Sequence, residues 1–246
     1  MKKLLILSAF FLLHISVFAQ SDHYLKIGTQ IPLQYNIGYE FHYNQKWVGS
    51  LEVGIFTKPY DKMALGLMKN WGMDKNLNLV LEESFKYGWI VQPELGRNLG
   101  KGWYVGVFGQ HIKLVAKDPS PTSVADYFGG TVFDLSEDNQ ELLDGLLTSG
   151  ASLDIIGTLR HVGFHVGKSF QTKNPRLSIF TSLGLSSNIN SQSDIEFRVK
   201  GFSNLQGELV DTIESAVNKE LQDNYLKYAH IPVLSVKLRY RLGEMN

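Results

Sequence analysis

His161 and His165 stand four residues apart in "GTLRHVGFHVG", on one side of an extended chain with Gly163 between them. Paired histidines can hold a metal ion or move protons. Four residues of strand span roughly 13 Å, too far for one shared ion. No further ligands are arranged around them. The expectation is therefore a pair of histidines hydrogen-bonded to their neighbours, with no metal. The chain has no cysteine, which excludes a thiol nucleophile, a thiolate metal site and a disulfide. It has no phosphate-cradling glycine loop, zinc signature or nucleophile elbow, and no cofactor is expected. Candidates for a hydrolytic site reduce to His111 and Ser186–Ser187, near strand ends.

The remaining chemistry sits in ionisable residues spaced by two in extended segments. Lys26, Glu40, His42, Glu52, Glu94, His165, Lys237 and Arg239 each alternate with apolar or small neighbours. If these residues share an interior, the carboxylates are tolerable only when paired with the cations. Such a set is either a proton path or a polar plug.

Those residues require strands. In "LQYNIGYEFHYNQKW", Leu33, Tyr35, Ile37, Tyr39, Phe41 and Tyr43 share one face, and Gln34, Asn36, Gly38, Glu40, His42 and Asn44 the other. Eight segments read this way: about 24–31, 33–44, 47–57, 86–97, 103–115, 154–169, 177–187 and 231–242. Pro93 is awkward in its strand, because an interior strand needs every donor. The phase of 103–115 is ambiguous. Tight turns at Asn44–Lys46, Asn98–Gly102 and Gln171–Arg176 alternate with long segments, about 58–85, 116–153 and 188–230. Only the connection near Gln30–Pro32 is short on the long-loop side. Asp61–Trp71, Ser136–Gly150 and the four-residue stripe of Leu205, Leu209, Ile213, Val217, Leu221 and Tyr225 predict helices within the long segments.

The N-terminus carries Lys2 and Lys3, an apolar run from Leu4 to about Phe18 and a small residue at Ala19. This is the form of a cleaved export signal over 1–19, leaving 20–246 as one barrel domain. No later stretch is apolar for long enough to span a membrane as a helix. Net charge is zero, so no nucleic acid partner is implied. The chain holds 23 Gly, 14 Phe, 11 Tyr and 4 Trp, which suits β structure.

Two closed sheets fit. A soluble ligand-binding barrel would turn the apolar face inward; a membrane barrel reverses this. Tyr43, Trp47, Trp103, Tyr104, Phe170 and Tyr240 cluster near the short turns or the C-terminus, where a lipid–water boundary would place them. The membrane form is preferred.

The "VFAQ" signal end, the "LQYNIGYEFHYNQKWVGSLEVGIF" hairpin and the closing "LSVKLRYRLG" resemble the small, eight-stranded outer-membrane β-barrel domain proteins of gram-negative bacteria. The resemblance implies an all-β, antiparallel up-and-down transmembrane barrel with long, partly helical loops on one side. It also implies outer-membrane lipid and the barrel-insertion machinery as partners, with a protein or ligand partner at the external loops. It carries over no catalytic residues. In many such proteins the last strand ends in an aromatic residue; here Tyr240 and Leu242 are followed by Gly243–Asn246. A structural, adhesion or docking role is expected. A narrow channel or carrier and a lipid-modifying enzyme are the alternatives.

Overall fold

The computed structural model describes residues 21–70, 82, 85–117, 152–198, 215 and 230–243. Alternation over these segments produces eight strands: β1 (Ser21–Ile31), β2 (Gln34–Tyr43), β3 (Trp47–Phe56), β4 (Phe85–Gly100), β5 (Trp103–Lys117), β6 (Ser152–Gln171), β7 (Leu177–Arg198) and β8 (His230–Leu242). Each strand pairs antiparallel with its neighbours in sequence, and β8 pairs with β1 to close the barrel. Closure leaves no sheet edge, so every strand has a pairing neighbour on both sides.

The short turns lie at one end, together with the start of β1 and the end of β8. Asn44 and Gln45 take left-handed backbone (φ 50° and 57°), and Lys46 N–H donates to the Tyr43 carbonyl at 3.1 Å. That primed geometry matches strand twist and keeps the β2–β3 hairpin tight. One helix is present among the described residues, α1 (Tyr60–Asn70), following β3 at the opposite end. It overlaps the helix expected at Asp61–Trp71. The helices expected at Ser136–Gly150 and along Leu205–Tyr225 lie outside the described residues, as does the export signal over 1–19. No helix among the described residues is long and apolar enough to cross a membrane.

Several sequence expectations are adjusted by the register. β6 matches its expected span to within two residues at each end, whereas β7 continues to Arg198, so the segment expected as loop from 188 begins as strand. Past Arg160 and His161 the β6–β7 register shifts by a bulge that leaves Ile189 without an opposite residue. The phase of β5 is resolved: Tyr104, Gly106, Phe108, Gln110 and Ile112 face inward. Pro93 faces outward, paired with Leu51 of β3, and the β4–β5 ladder is interrupted at Gln92 and Pro93. The missing donor thus falls on one side only, at a local gap in the ladder. Leu33 does not continue the outward face of β2; it sits in the β1–β2 turn and is buried. Tyr104 likewise points into the lumen instead of joining the rim aromatics.

The outside of the barrel is apolar. Leu25, Ile27, Ile37, Leu51, Val53, Leu95, Val107, Phe164, Leu183, Val236 and Leu238 are all exposed, Leu183 at 66%. A soluble protein rarely displays so continuous an apolar surface. Outward charges on the described strands stand towards the ends, among them Arg97 and Lys168 near the short turns and Lys113, Arg160 and Asp194 towards the long loops. Tyr43, Trp47, Trp103, Phe170 and Tyr240 ring the short-turn end and are exposed. Arg97 lies over the Trp47 ring at 5.6 Å, and Lys168 over Trp103 at 5.2 Å. Each charge thus rests against the face of an interfacial ring. Tyr35, Tyr87 and Trp89 form a second aromatic group at the other end. Tyr35 and Tyr43 stand eight residues apart on β2, roughly 26 Å along the strand. A strand tilt of about 40° reduces this to about 20 Å, the scale of an outer-membrane apolar band.

Val53 lies mid-belt, opposite Ile37 and Val91. Val53→Arg should lower folding stability in lipid vesicles by about 2–4 kcal/mol, because a lipid-facing guanidinium at mid-depth loses its water. Urea titration of vesicle-embedded protein would read this; an unchanged midpoint would mean that Val53 faces water.

Candidate functional site

The lumen has three layers, stacked from the short-turn end to the long-loop end. The layer nearest the short turns is ionic. Lys26, Glu40, Glu52, Lys237 and Arg239 project from β1, β2, β3 and β8, and all are buried. Lys237 Nζ donates to both oxygens of Glu52 at 2.6 and 2.8 Å. Lys26 Nζ lies 2.6 Å from Glu52 Oε1 and 3.2 Å from Glu40 Oε2, and donates to Ser50 at 3.0 Å. Asn36 donates to Glu52 Oε2 at 2.7 Å. Arg239 pairs with Glu40 and donates to His42 Nε2 at 2.7 Å.

Glu94 is handled differently. Among the described residues no lysine or arginine bonds it directly; His165 Nε2 lies 2.9 Å away, and the Tyr104 hydroxyl donates to the same oxygen. His165 Nδ1 meets Ser182 at 3.0 Å. Gly96 and Gly106 make room here: a Cβ at either would overlap the Tyr104 side chain. Phe108 and Phe180 pack edge-on against the His165 ring. Three carboxylates, Glu40, Glu52 and Glu94, therefore stand against three cations, Lys26, Lys237 and Arg239.

Above the ionic layer lies a ring of glutamines. Gln34 donates to Gln30 at 2.8 Å and to Gln92 at 3.3 Å, and Gln110 donates to the same two at 3.0 and 2.8 Å. His161 Nδ1 meets Ser186 at 2.8 Å. Gln30 and Gln110 escaped the sequence reading. Their signal was register: Gln30 follows Lys26 and Gly28 on the inward side, and Gln110 becomes legible once the phase of β5 is known.

An apolar layer closes the long-loop end. Leu33, Phe56, Ile90, Ile112, Leu159, Ile231 and Val233 pack there with Tyr60 and Ala64 of α1. Tyr60 reaches over the β1–β2 turn, bonds Thr29 and packs on Tyr35 with ring centroids 4.7 Å apart. These inward apolar residues were not expected from the sequence, which reads their segments as alternating polar-in and apolar-out.

The hydrolytic candidates do not assemble with each other. His111 packs on Trp89 (5.3 Å), and Ser186 turns inward to His161. Ser187 meets a residue that the sequence reading did not nominate, His230, at 2.8 Å. Among the described residues no acidic side chain forms an ion pair with His230, and no group of three or more His, Asp or Glu could hold a metal ion.

No family model and no curated protein matches the chain. Solved structures similar to it include a major outer membrane protein from Thermus thermophilus, with 13% identity, TM-score 0.42, and coverage of 90% of this chain and 99% of that one. CarO from Acinetobacter baumannii has 13% identity and TM-score 0.35, covering 90% and 97%; CarO2 has 12% identity and TM-score 0.35, covering 90% and 98%. The fold assignment rests on the closed sheet, its apolar belt and its polar lumen.

Glu52 is the joint of the ionic layer, so Glu52→Gln should leave two buried ammonium groups short of a counter-charge. The expected loss is about 3–5 kcal/mol of stability. Adding Lys237→Met should return part of it, with unfolding in vesicles as the measurement. Additive losses in the double variant would mean that the pair is not coupled. The architecture is that of a closed, eight-stranded antiparallel β-barrel with an apolar outer belt and a polar lumen.

Proposed function

We propose that this protein is an integral outer-membrane barrel with a structural, adhesion or docking role, held rigid by its polar lumen and presenting long loops to the outside. The observation that supports this most is the filling of the interior. Glutamines, ion pairs and an apolar layer occupy successive levels of the described lumen. An eight-stranded barrel is only wide enough for side chains to fill. Lys26, Glu40, His42, Glu52, Glu94, His165, Lys237 and Arg239 then serve as a charge-balanced plug that specifies strand order, and the rim aromatics anchor the barrel in lipid. A partner would meet the segments after β3, β5 and β7.

Two measurements test this. Purified protein should migrate faster on gels unheated than boiled, as closed barrels do, and should leave membranes only with detergent. In planar bilayers it should be silent. Regular single-channel steps would overturn the plugged reading and favour the narrow channel.

One observation favours a second reading. Ser187 and His230 are hydrogen-bonded at the long-loop end of β7 and β8, as a nucleophile and base would be. Lipid A from cells expressing the wild type and Ser187→Ala should then differ in mass; identical spectra would discard this reading.

A further inference from the structure

Below the ionic layer the barrel is open. A cavity of about 510 Å³ lies at the short-turn end, bordered by Tyr24, His42, Tyr104, Arg176, Arg239 and Arg241. Its inner wall is shut by Val48, Tyr104 and Phe180, which pack together across the lumen, and Tyr104 meets Phe180 edge-on at 5.5 Å. The cavity is therefore a blind vestibule with one entrance.

Its polar groups are biased towards donors. Arg239 is held between Tyr24 and Phe180, with its guanidinium carbon 5.1 and 5.3 Å from the two ring centroids. Its side chain is 7% exposed, and Nε has no hydrogen-bond partner. A buried guanidinium N–H without an acceptor is costly, so the Arg239 charge is not fully satisfied by its protein partners. Glu40, which pairs with Arg239, also serves Lys26. Arg241 is matched by Asp22 at 2.6 Å, whereas Arg176 forms no ion pair among the described residues. Asn98 and Gln171 add amide groups at the entrance.

The surroundings have the same sign. Lys46, Lys101, Lys173 and Arg176 stand in the three short turns, and Asp22 is the only acidic residue at that end among the described residues. The whole chain is neutral, so the excess is a matter of placement. A concave site with one sign of charge and low-dielectric walls concentrates counter-ions.

We propose that this vestibule is a binding site for a small anion bearing a carboxylate or phosphate, entering from the short-turn side. Arg176 and Arg241 draw it in and supply the donors, Arg239 adds positive charge at the inner end, and the Tyr24 and Tyr104 rings form the walls. The volume falls within the range of small-molecule sites. Because the inner wall is closed, the anion is held and not passed on. The assignment rests on the blind lumen of the proposed function, but conductance tests that reading and binding tests this one.

The experiment is calorimetric titration of full-length barrel in an uncharged detergent with succinate and with inorganic phosphate. It is paired with thermal unfolding in nanodiscs of phosphatidylcholine with and without phosphatidylglycerol. Saturable binding of succinate or phosphate is expected and identifies a soluble anion. Stabilisation by phosphatidylglycerol alone identifies a lipid headgroup as the source of the same chemistry. In either case Arg176→Gln combined with Arg241→Gln should weaken the effect by about tenfold or more, as loss of charge-assisted hydrogen bonds does. Unchanged heat-modifiable migration would show that this variant folds. Lys46→Gln, in a neighbouring turn outside the cavity, should leave binding within about twofold. Absence of saturable binding and of lipid-dependent stabilisation would overturn the proposal. So would equal weakening by Lys46→Gln, which would mean diffuse surface charge and no site.

Discussion

The clamp of Glu52 between Lys26 and Lys237 is the interaction on which the barrel turns. Glu52 and Lys237 are 185 residues apart and come from β3 and β8. Neither charge can remain in a dry lumen alone, since an unpaired buried ion costs several kcal/mol. The pair is satisfied only when β8 has closed on β1, because Lys26 and Glu40 complete the same cluster from β1 and β2. A one-residue slip at the closing seam would turn Lys237 into the apolar belt and Leu238 into the lumen. The ionic layer thus fixes register at the one seam that has no connecting turn.

The rest of the interior follows from the size of the barrel. With eight strands the lumen is narrow, and each level must be filled without leaving polar groups unpaired. The protein solves this differently at each height. Ion pairs lie nearest the short turns, amide-to-amide bonds among glutamines lie above them, and apolar packing with α1 seals the long-loop end. Glycines sit where a large neighbour needs their volume, as Gly163 does beside Phe108. The short-turn end is left unfilled, and there the lining is cationic.

Much of the wall was legible because strand alternation maps directly onto inside and outside. Tyr35, Ile37, Tyr39 and Phe41 point out, and Asn36, Glu40 and His42 point in, as the spacing of two requires. The same logic located the inward ionisable residues of β1, β2, β3, β4, β6 and β8. It failed where inward residues are apolar. Ile90, Phe108, Ile112 and Val233 lie in the lumen, yet polarity alone would send them to lipid. It also missed Tyr104, whose place beside Trp103 reads as a rim aromatic but whose hydroxyl serves Glu94. Polarity predicts a side only when the two faces differ, and at the long-loop end both faces of the wall are apolar.

By itself the sequence determined the strand count, the end that carries the short turns and the sorting of most side chains between lipid and lumen. Each follows from local spacing and turn chemistry. Partnership was decided only in three dimensions. Which cation meets which carboxylate, that Glu94 takes His165 and not a lysine, that four glutamines from β1, β2, β4 and β5 form one ring, and that arginines from β8 and the β6–β7 turn border one cavity all depend on register around a closed sheet. The physical reason is that alternation fixes the side from which a residue projects, whereas height in the lumen is set by the summed stagger of every strand pair between two residues.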